Sequence, residues 1–260
     1  MRVRVGEGVS LNVRVHGDGL GEPFLLVHGL SSNARLWDGV AAHLTEHPVY
    51  AVDLRSHGES DSPPDGYDTA TAAADLDLVC AALDLPAVIV AGQSWGGNVA
   101  VQFAARFPAR VRGLALVDGG WINLAAQFPS WEACAARLRP PDVSGMTAAR
   151  LRSSLRKSHP DWEPWAIDAT VFNLAVGPGD RLTRRLPIPQ HMRIVRSMWD
   201  DPPQPYHPRI DVPVLAIPAG SKTPDIGGLR DVKVRPYPGA DHDVHAQHPE
   251  SIAADLLGLA

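Results

Sequence analysis

The stretch Val88-Ile89-Val90-Ala91-Gly92-Gln93-Ser94-Trp95-Gly96-Gly97 decides the fold of this 260-residue chain. A short apolar run ends abruptly in Gly-x-Ser-x-Gly, and a helical pattern follows over Trp95–Phe107. In a strand–turn–helix unit of this kind the serine occupies a strained turn that projects its hydroxyl into a cleft, and small residues on either side let strand and helix approach closely. The stretch therefore predicts such a unit, with Ser94 as a candidate nucleophile.

Two more stretches show a related pattern, in which a histidine comes directly after an extended run. Upstream, Pro23-Phe24-Leu25-Leu26-Val27-His28-Gly29-Leu30 is a buried-strand run closed by His-Gly. Downstream, Tyr237-Pro238-Gly239-Ala240-Asp241-His242 places a histidine just after a second extended run. Ser94 thus comes first and His242 last along the chain, which is the order found in hydrolases built on such a turn.

On these motifs the chain resembles the α/β-hydrolase superfamily over nearly its whole length. The segment Asp53-Leu54-Arg55-Ser56-His57-Gly58-Glu59-Ser60 looks like the Asp-x-Arg-x-x-Gly-x-Ser loop that follows the fourth strand of that family. Pro249-Glu250 stands at the usual spacing after His242, where the last helix begins. The resemblance implies a capped protein with a serine nucleophile, similar to esterases and lactonases.

The order of extended and helical patterns predicts the fold class. Met1–Val5 and Val9–Val15 alternate like the strands of a hairpin, and strand and helix patterns then alternate up to a strand at Val111–Val117. Such alternation indicates an α/β fold with a mainly parallel central sheet of about eight strands and helices on both faces.

The alternation stops after Gly120. Residues 121–207 show helical patterns only, Trp162–Ala175 among them, and proline clusters separate these patterns. Strand character returns at Val212–Pro218. An insertion here matches the helical cap that members of the superfamily carry after the sixth strand. We therefore expect a core of residues 1–120 and 208–260 with a helical cap of residues 121–207.

A general base must stand beside Ser94, because a serine hydroxyl is a weak nucleophile at neutral pH. The resemblance assigns this role to His242, which ends the loop after the last predicted strand, where the histidine of the family falls. Imidazole suits the role because it titrates near neutral pH and can take up a proton and return it.

The acidic partner of His242 is where the chain departs from the family pattern. After the seventh strand, where the family usually carries its aspartate, stands Thr223. Some members supply the acid after the sixth strand instead, and here Asp118 directly follows Val111–Val117. We favour Asp118, with Asp225, another acid or a serine–histidine dyad as the open alternatives.

The resemblance also implies an oxyanion hole of two backbone N–H groups, from Leu30 and from Trp95. His28 is then expected to hold the loop that carries Leu30. The predicted cap contains five of the seven tryptophans, which either pack the cap on the core or line an apolar substrate pocket. The candidates for substrate binding are Trp121, Trp131, Trp162 and Trp165.

Composition excludes several classes of partner. The formal net charge of −5 and a pI near 6.1 give no electrostatic case for binding nucleic acid or an acidic membrane surface. No apolar run is long enough to span a bilayer or to serve as a signal peptide, so we expect a cytoplasmic protein.

Cys80 and Cys134 are expected to be buried free thiols. Since no zinc spacing or phosphate loop is present, no metal or cofactor is expected, and the expected partner is a small-molecule substrate.

These features favour a serine hydrolase that forms an acyl-enzyme on a small, mostly apolar ester, lactone or thioester. Epoxide hydrolases and haloalkane dehalogenases of the superfamily are disfavoured, because they carry aspartate in place of Ser94. A carbon–carbon bond hydrolase that uses the same serine, histidine and acid is an alternative. A cofactor-free oxygenase or a non-catalytic small-molecule receptor on the same fold is another.

Overall fold

The computed structural model describes residues 1–220 and 223–260. Eight strands form one sheet in the order β1-β2-β4-β3-β5-β6-β9-β10, and β7 pairs with β8 in a separate hairpin. The strands are β1 (Arg2–Gly6), β2 (Val9–His16), β3 (Phe24–Val27), β4 (Val49–Val52), β5 (Val88–Gln93), β6 (Val111–Val117), β7 (Leu174–Val176), β8 (Leu182–Arg184), β9 (Val214–Ile217) and β10 (Val232–Val234). In the large sheet β2 runs antiparallel to β1 and β4, and the other neighbours are parallel. The predicted α/β fold with an N-terminal hairpin and a mainly parallel sheet is confirmed.

Helices connect most of the parallel strands. They are α1 (Asp38–Ala41), α2 (Thr69–Ala82), α3 (Trp95–Arg106), α4 (Leu124–Gln127), α5 (Trp131–Leu138), α6 (Ala148–Ser158), α7 (Pro164–Val171), α8 (Ile188–Asp200), α9 (Val244–Gln247) and α10 (Pro249–Leu257). A 3₁₀ turn, Ala34–Trp37, precedes α1, and the side chain of Asn33 caps it by accepting a hydrogen bond from the Arg35 N–H. No helix in the two described ranges is long and apolar enough to cross a membrane.

The two faces of the sheet carry separate apolar cores. Val88 and Val90 of β5 belong to the core packed under α2 and α3, whereas Ile89 and Ala91 belong to the core on the opposite face. Every residue of β5 is buried, as expected for a central strand that helices cover on both sides. The cysteines are free and buried in α2 and α5, as predicted.

The chain between β6 and β9 differs in one respect from the all-helical expectation for residues 121–207. The helix predicted over Trp162–Ala175 ends at Val171, and β7 and β8 follow as an antiparallel pair. The turn between them is Gly177-Pro178-Gly179-Asp180, with Gly179 in the left-handed region at φ 70°. Proline and glycine at these positions favour a reversal of the chain. This run is the sequence signal for the hairpin.

The turn between β5 and α3 takes up an unusual backbone conformation. Ser94 has φ 55° and ψ −124°, a combination that side-chain-bearing residues rarely adopt. The start of α3 lies against the end of β3, where a Cβ atom on Gly96 would lie 2.5 Å from the carbonyl oxygens of Val27 and His28. Only glycine therefore lets α3 begin this close to the sheet.

This packing makes Gly96→Ala a sensitive test of the turn. The added methyl group would meet backbone atoms that have no room to move, so we expect the free energy of unfolding to fall by about 2–3 kcal/mol. Gly145→Ala is the matched control, because a Cβ atom at Gly145 meets no atom within 4 Å. Equilibrium urea unfolding measures both variants, and similar stabilities for the two would contradict this account of the turn.

Candidate active site

Three polar side chains come together at the carboxyl edge of the sheet. Ser94 follows β5 and Asp118 follows its parallel neighbour β6. His242 lies in the loop between β10 and α9. Ser94, Asp118 and His242 line one cavity, at the edge where open parallel sheets bind their ligands.

Asp118 and His242 form a short, directed contact. Asp118 Oδ2 lies 2.6 Å from His242 Nδ1, and Asp118 Oδ1 accepts a hydrogen bond of 3.1 Å from the backbone N–H of Ala219. The Asp118 side chain is only 1% exposed, whereas that of His242 is 48% exposed. A buried carboxylate in this position favours a proton on Nδ1, so that Nε2 is the nitrogen that can take up a proton.

Hydrogen bonds to backbone groups fix the positions of all three residues. The Ser94 N–H donates to the Val117 carbonyl at 3.0 Å, and the Asp118 N–H donates to the Ile217 carbonyl at 2.8 Å. The side-chain amide of Gln93, the residue before Ser94, donates to the His242 carbonyl at 3.0 Å. The site is thus tied to β5, β6 and β9 rather than carried on free loops.

Asn98 of α3 secures the loop that follows Asp118. Its side-chain oxygen accepts hydrogen bonds from the N–H groups of Gly120 and Ile122, at 3.1 and 3.3 Å. Its amide donates to the Ile122 carbonyl at 2.9 Å. Asn98 is buried, so these bonds join α3 directly to the loop that follows Asp118.

Two other aspartates near the site in sequence have different partners. Asp225 Oδ2 accepts a hydrogen bond of 3.1 Å from the side chain of Gln204. Asp241 Oδ2 lies 2.9 Å from His159 Nδ1 and accepts a 3.1 Å bond from the indole N–H of Trp162. Asp241 therefore joins the loop that carries His242 to the chain between β6 and β9.

Two buried imidazoles hold the loop after β3, on which Leu30 lies. His28 Nε2 accepts a hydrogen bond from the Leu54 N–H at 3.0 Å, while Nδ1 faces the Gly29 carbonyl at 2.7 Å. His57 Nε2 accepts from the Ser31 N–H at 3.1 Å. Burial lowers the pKa of His28 to about 4 and that of His57 to about 3. Both rings are therefore neutral at pH 7, and each accepts a hydrogen bond from a backbone N–H group that holds the loop in place.

The two candidate oxyanion donors flank Ser94. Trp95 is the first residue of α3, and the first N–H groups of a helix have no partner within it. Leu30 lies in the cavity wall beside Ser94. Backbone N–H groups at these two places can stabilise negative charge on an oxygen bound between them.

The cavity has a volume of about 470 Å³. Most of its wall comes from the chain after β6 and is apolar. The residues that line it are Leu30, Ser31, Ser94, Asp118, Trp121, Ile122, Leu124, Gln127, Leu138, His191, Met198 and His242. A space of this size with a mostly apolar wall suits a small, mostly apolar ligand.

The four tryptophans predicted to bind substrate have different places in the structure. Trp121 lines the cavity. The structure places the other three in packing positions: Trp131 packs edge-on against Trp199 with ring centres 6.1 Å apart, Trp162 bonds to Asp241, and Trp165 packs in the cluster under α7.

Several residues of the cavity wall were not among the predicted substrate-binding residues, including His191 and Met198 of α8. These two are seven residues apart, so they lie two turns apart on one helix face. The seven-residue spacing in the sequence indicates that the two side chains share a helix face, but it does not indicate that this face points toward Ser94.

Comparison with known proteins shows the family of the chain. A family model described as alpha/beta hydrolase fold matches residues 22–164, more than half of the chain. The chain belongs to the alpha/beta hydrolase family. The predicted membership is confirmed.

Individual relatives differ in how much of the chain they match. Lipase LipV of Mycobacterium tuberculosis is 30% identical over 186 residues, which is 70% of this chain and 68% of the lipase. A pimeloyl-[acyl-carrier protein] methyl ester esterase of Shewanella woodyi is 31% identical over 153 residues, 58% of this chain and 54% of the esterase. Relatives that are 41% identical over 124 residues are matched over only 36% of their own length.

Among solved structures, the crystal structure of E-2-(acetamidomethylene)succinate hydrolase superposes with a TM-score of 0.78. The sequences are 23% identical, and the match covers 100% of this chain and 97% of the other. At this identity the likeness shows a shared fold.

The buried histidines predict how stability depends on pH. His245 is buried against Trp37, and burial lowers its pKa to about 3, as it also lowers the pKa of His28 and of His57. In the unfolded chain each imidazole titrates near pH 6.5, so unfolding takes up protons below that pH. The free energy of unfolding should therefore fall as the pH drops from about 6.5 toward 4.

His245→Leu isolates one of these imidazoles. Near pH 5 the variant should show a slope of unfolding free energy against pH that is shallower by about 1.4 kcal/mol per pH unit, which corresponds to one proton. His43→Gln is the control, because His43 is exposed. Urea unfolding at a series of pH values provides the measurement. An unchanged slope in His245→Leu would show that His245 is not kept neutral by burial.

Proposed function

We propose that this protein is a serine hydrolase that cleaves a small, mostly apolar ester, lactone or thioester through an acyl-enzyme. Ser94 is the nucleophile, His242 the general base and Asp118 its anionic partner. One observation carries the proposal: Asp118 Oδ2 lies 2.6 Å from His242 Nδ1, beside a serine held at φ 55° on the same sheet edge.

The reaction follows from these positions. His242 Nε2 takes the proton of Ser94 Oγ as the oxygen attacks the carbonyl carbon, and the buried carboxylate of Asp118 stabilises the imidazolium that forms. The N–H groups of Leu30 and Trp95 bind the oxyanion, each contributing about 3 kcal/mol to barrier reduction. Collapse of the intermediate expels the alcohol or thiol, which receives the proton from His242. A water molecule then repeats the steps on the acyl-enzyme.

The cavity wall supports the proposed substrate class. The side chains of Trp121, Leu124 and Met198 are apolar, so burying a charged acyl group among them would cost desolvation energy. We propose that the inserted residues 121–207 act as a cap over Ser94, because they supply most of this wall. Two of the relatives are a lipase and a methyl ester esterase, and their names are consistent with ester substrates.

The decisive experiment compares Asp118→Asn with Asp225→Asn in the hydrolysis of p-nitrophenyl butyrate. Both changes are nearly isosteric. Asp118→Asn should lower kcat by on the order of 10³–10⁴, since an amide can neither fix the tautomer of His242 nor stabilise its charged form. Asp225→Asn, which alters only the contact with Gln204, should change kcat by about threefold or less.

Urea unfolding of both variants establishes that they are folded. The reverse ranking would transfer the role to Asp225, and small equal effects would favour a serine–histidine dyad. Absence of turnover in the wild-type protein across a panel of esters and lactones would remove the hydrolase proposal and favour a binding role.

A further inference from the structure

Two polar side chains of the cavity wall that the proposed reaction does not use contact each other. Ser31 and His191 both line the cavity, and Ser31 Oγ lies 3.0 Å from His191 Nδ1. Ser31 directly follows Leu30, the candidate oxyanion donor, whereas His191 belongs to α8 in the insertion. The pair therefore joins the loop that carries Leu30 to the proposed cap, next to the place where a scissile carbonyl would bind.

The hydrogen bonds of His191 determine which of its nitrogens carries the proton. His191 Nε2 lies 3.0 Å from the carbonyl oxygen of Leu138, which can only accept, so Nε2 is the protonated nitrogen. Burial lowers the pKa of His191, so the ring is neutral at pH 7. Nδ1 then has only a lone pair, and the hydroxyl of Ser31 is the donor in their contact.

This direction of donation limits what Ser31 can offer a ligand. A serine hydroxyl has a single hydrogen, and here His191 takes it. The capacity that remains on Ser31 Oγ is that of an acceptor. The backbone of Ser31 is fixed as well, because its N–H donates to His57 and its φ is 61°. The pair thus presents a positioned hydrogen-bond acceptor to the cavity.

Ser31 comes directly after Leu30 along the chain, one residue from the N–H group that is expected to hold the carbonyl oxygen. Neighbouring Cα atoms are about 3.8 Å apart, and an oxyanion binds about 3 Å from its N–H donor. A substituent one or two atoms away from a carbonyl held by Leu30 would therefore be within reach of Ser31 Oγ.

We propose that Ser31, oriented by His191, selects substrates that carry a hydrogen-bond donor, a hydroxyl or an amide N–H, on the α or β carbon of the acyl group. This inference rests on the proposed hydrolase function and specifies its substrate class. An acyl group without such a donor still fits the apolar wall but leaves the acceptor on Ser31 unused. An acyl group with an ether oxygen there places two acceptors against each other.

Three p-nitrophenyl esters test the proposal: butyrate, 2-hydroxybutyrate and 2-methoxybutyrate. Hydroxyl and methoxy substituents both activate the carbonyl group, so each kcat/KM is divided by the alkaline hydrolysis rate of the same ester. The informative quantity is the ratio of 2-hydroxybutyrate to 2-methoxybutyrate. In the wild type we expect this ratio to be about ten, which corresponds to about 1.4 kcal/mol, within the range of one hydrogen bond.

Variants of Ser31 and His191 test whether these two side chains cause the preference for the 2-hydroxybutyrate ester. Ser31→Ala should bring the ratio close to one, and Ser31→Gly should do the same with a residue suited to positive φ. His191→Phe frees the Ser31 hydroxyl to donate to the methoxy oxygen, so the ratio should fall between those of the wild type and Ser31→Ala. Ser154→Ala, at an exposed serine of α6, is the control and should keep the wild-type ratio.

The outcomes separate this inference from the proposed function. A wild-type ratio near one, or a wild-type ratio that persists in both Ser31 variants, overturns the role of Ser31 while hydrolysis of the butyrate ester leaves the hydrolase proposal standing. If none of the three esters is cleaved and a serine-directed phosphonate does not label Ser94, the hydrolase proposal itself fails.

Discussion

Gln93 of β5 lies directly opposite Val117 of β6 in the parallel sheet, and the candidate site depends on this register. The next residues along the two strands are Ser94 and Asp118, so strand pairing by itself brings a hydroxyl and a carboxylate to one edge. The pairing of Val117 with Ile217 extends the arrangement to β9, whose end supplies the N–H of Ala219 to Asp118. If the pairing of β5 with β6 were shifted by one residue, the side chains of one strand would point to the opposite face of the sheet.

The two histidines that hold the loop of Leu30 lower the stability of the fold in acid. His28 and His57 are buried and neutral, and together they hold the loop of Leu30 with hydrogen bonds to backbone groups. A donor fixed in this way needs no reorganisation when charge develops on a bound oxygen. The same burial makes the folded state sensitive to acid, because an imidazole that cannot take up a proton in the folded chain can do so after unfolding.

Local sequence patterns predict the parts of the molecule that local geometry determines. The run from Val88 to Gly97 predicts the strand, the turn and the helix around Ser94, because a serine between glycines at the end of an apolar run suits few other structures. The position of Asp118 follows from the end of a parallel strand. The hairpin of β7 and β8 also had a local signal in Gly177-Pro178-Gly179-Asp180, which helical periodicity nearby obscured.

The cavity wall could not be predicted in the same way. Trp131, Trp162 and Trp165 are as suitable for packing as for binding a ligand, and the structure uses them to join the insertion to itself and to the core. The residues that reach the cavity, such as His191 and Met198, depend on how α8 docks against the sheet. Docking is set by contacts between distant parts of the chain, and a single sequence does not encode it as a local pattern.

The central claim is that Ser94 is the reactive nucleophile, and covalent trapping tests it most directly. The protein is treated with a serine-directed fluorophosphonate, digested, and analysed by mass spectrometry while esterase activity is followed in parallel. The account predicts loss of activity at one label per chain, with the added mass on the peptide that contains Ser94 and no label on Ser94→Ala. Inactivation with the label on another residue, or labelling that persists in Ser94→Ala, would contradict it.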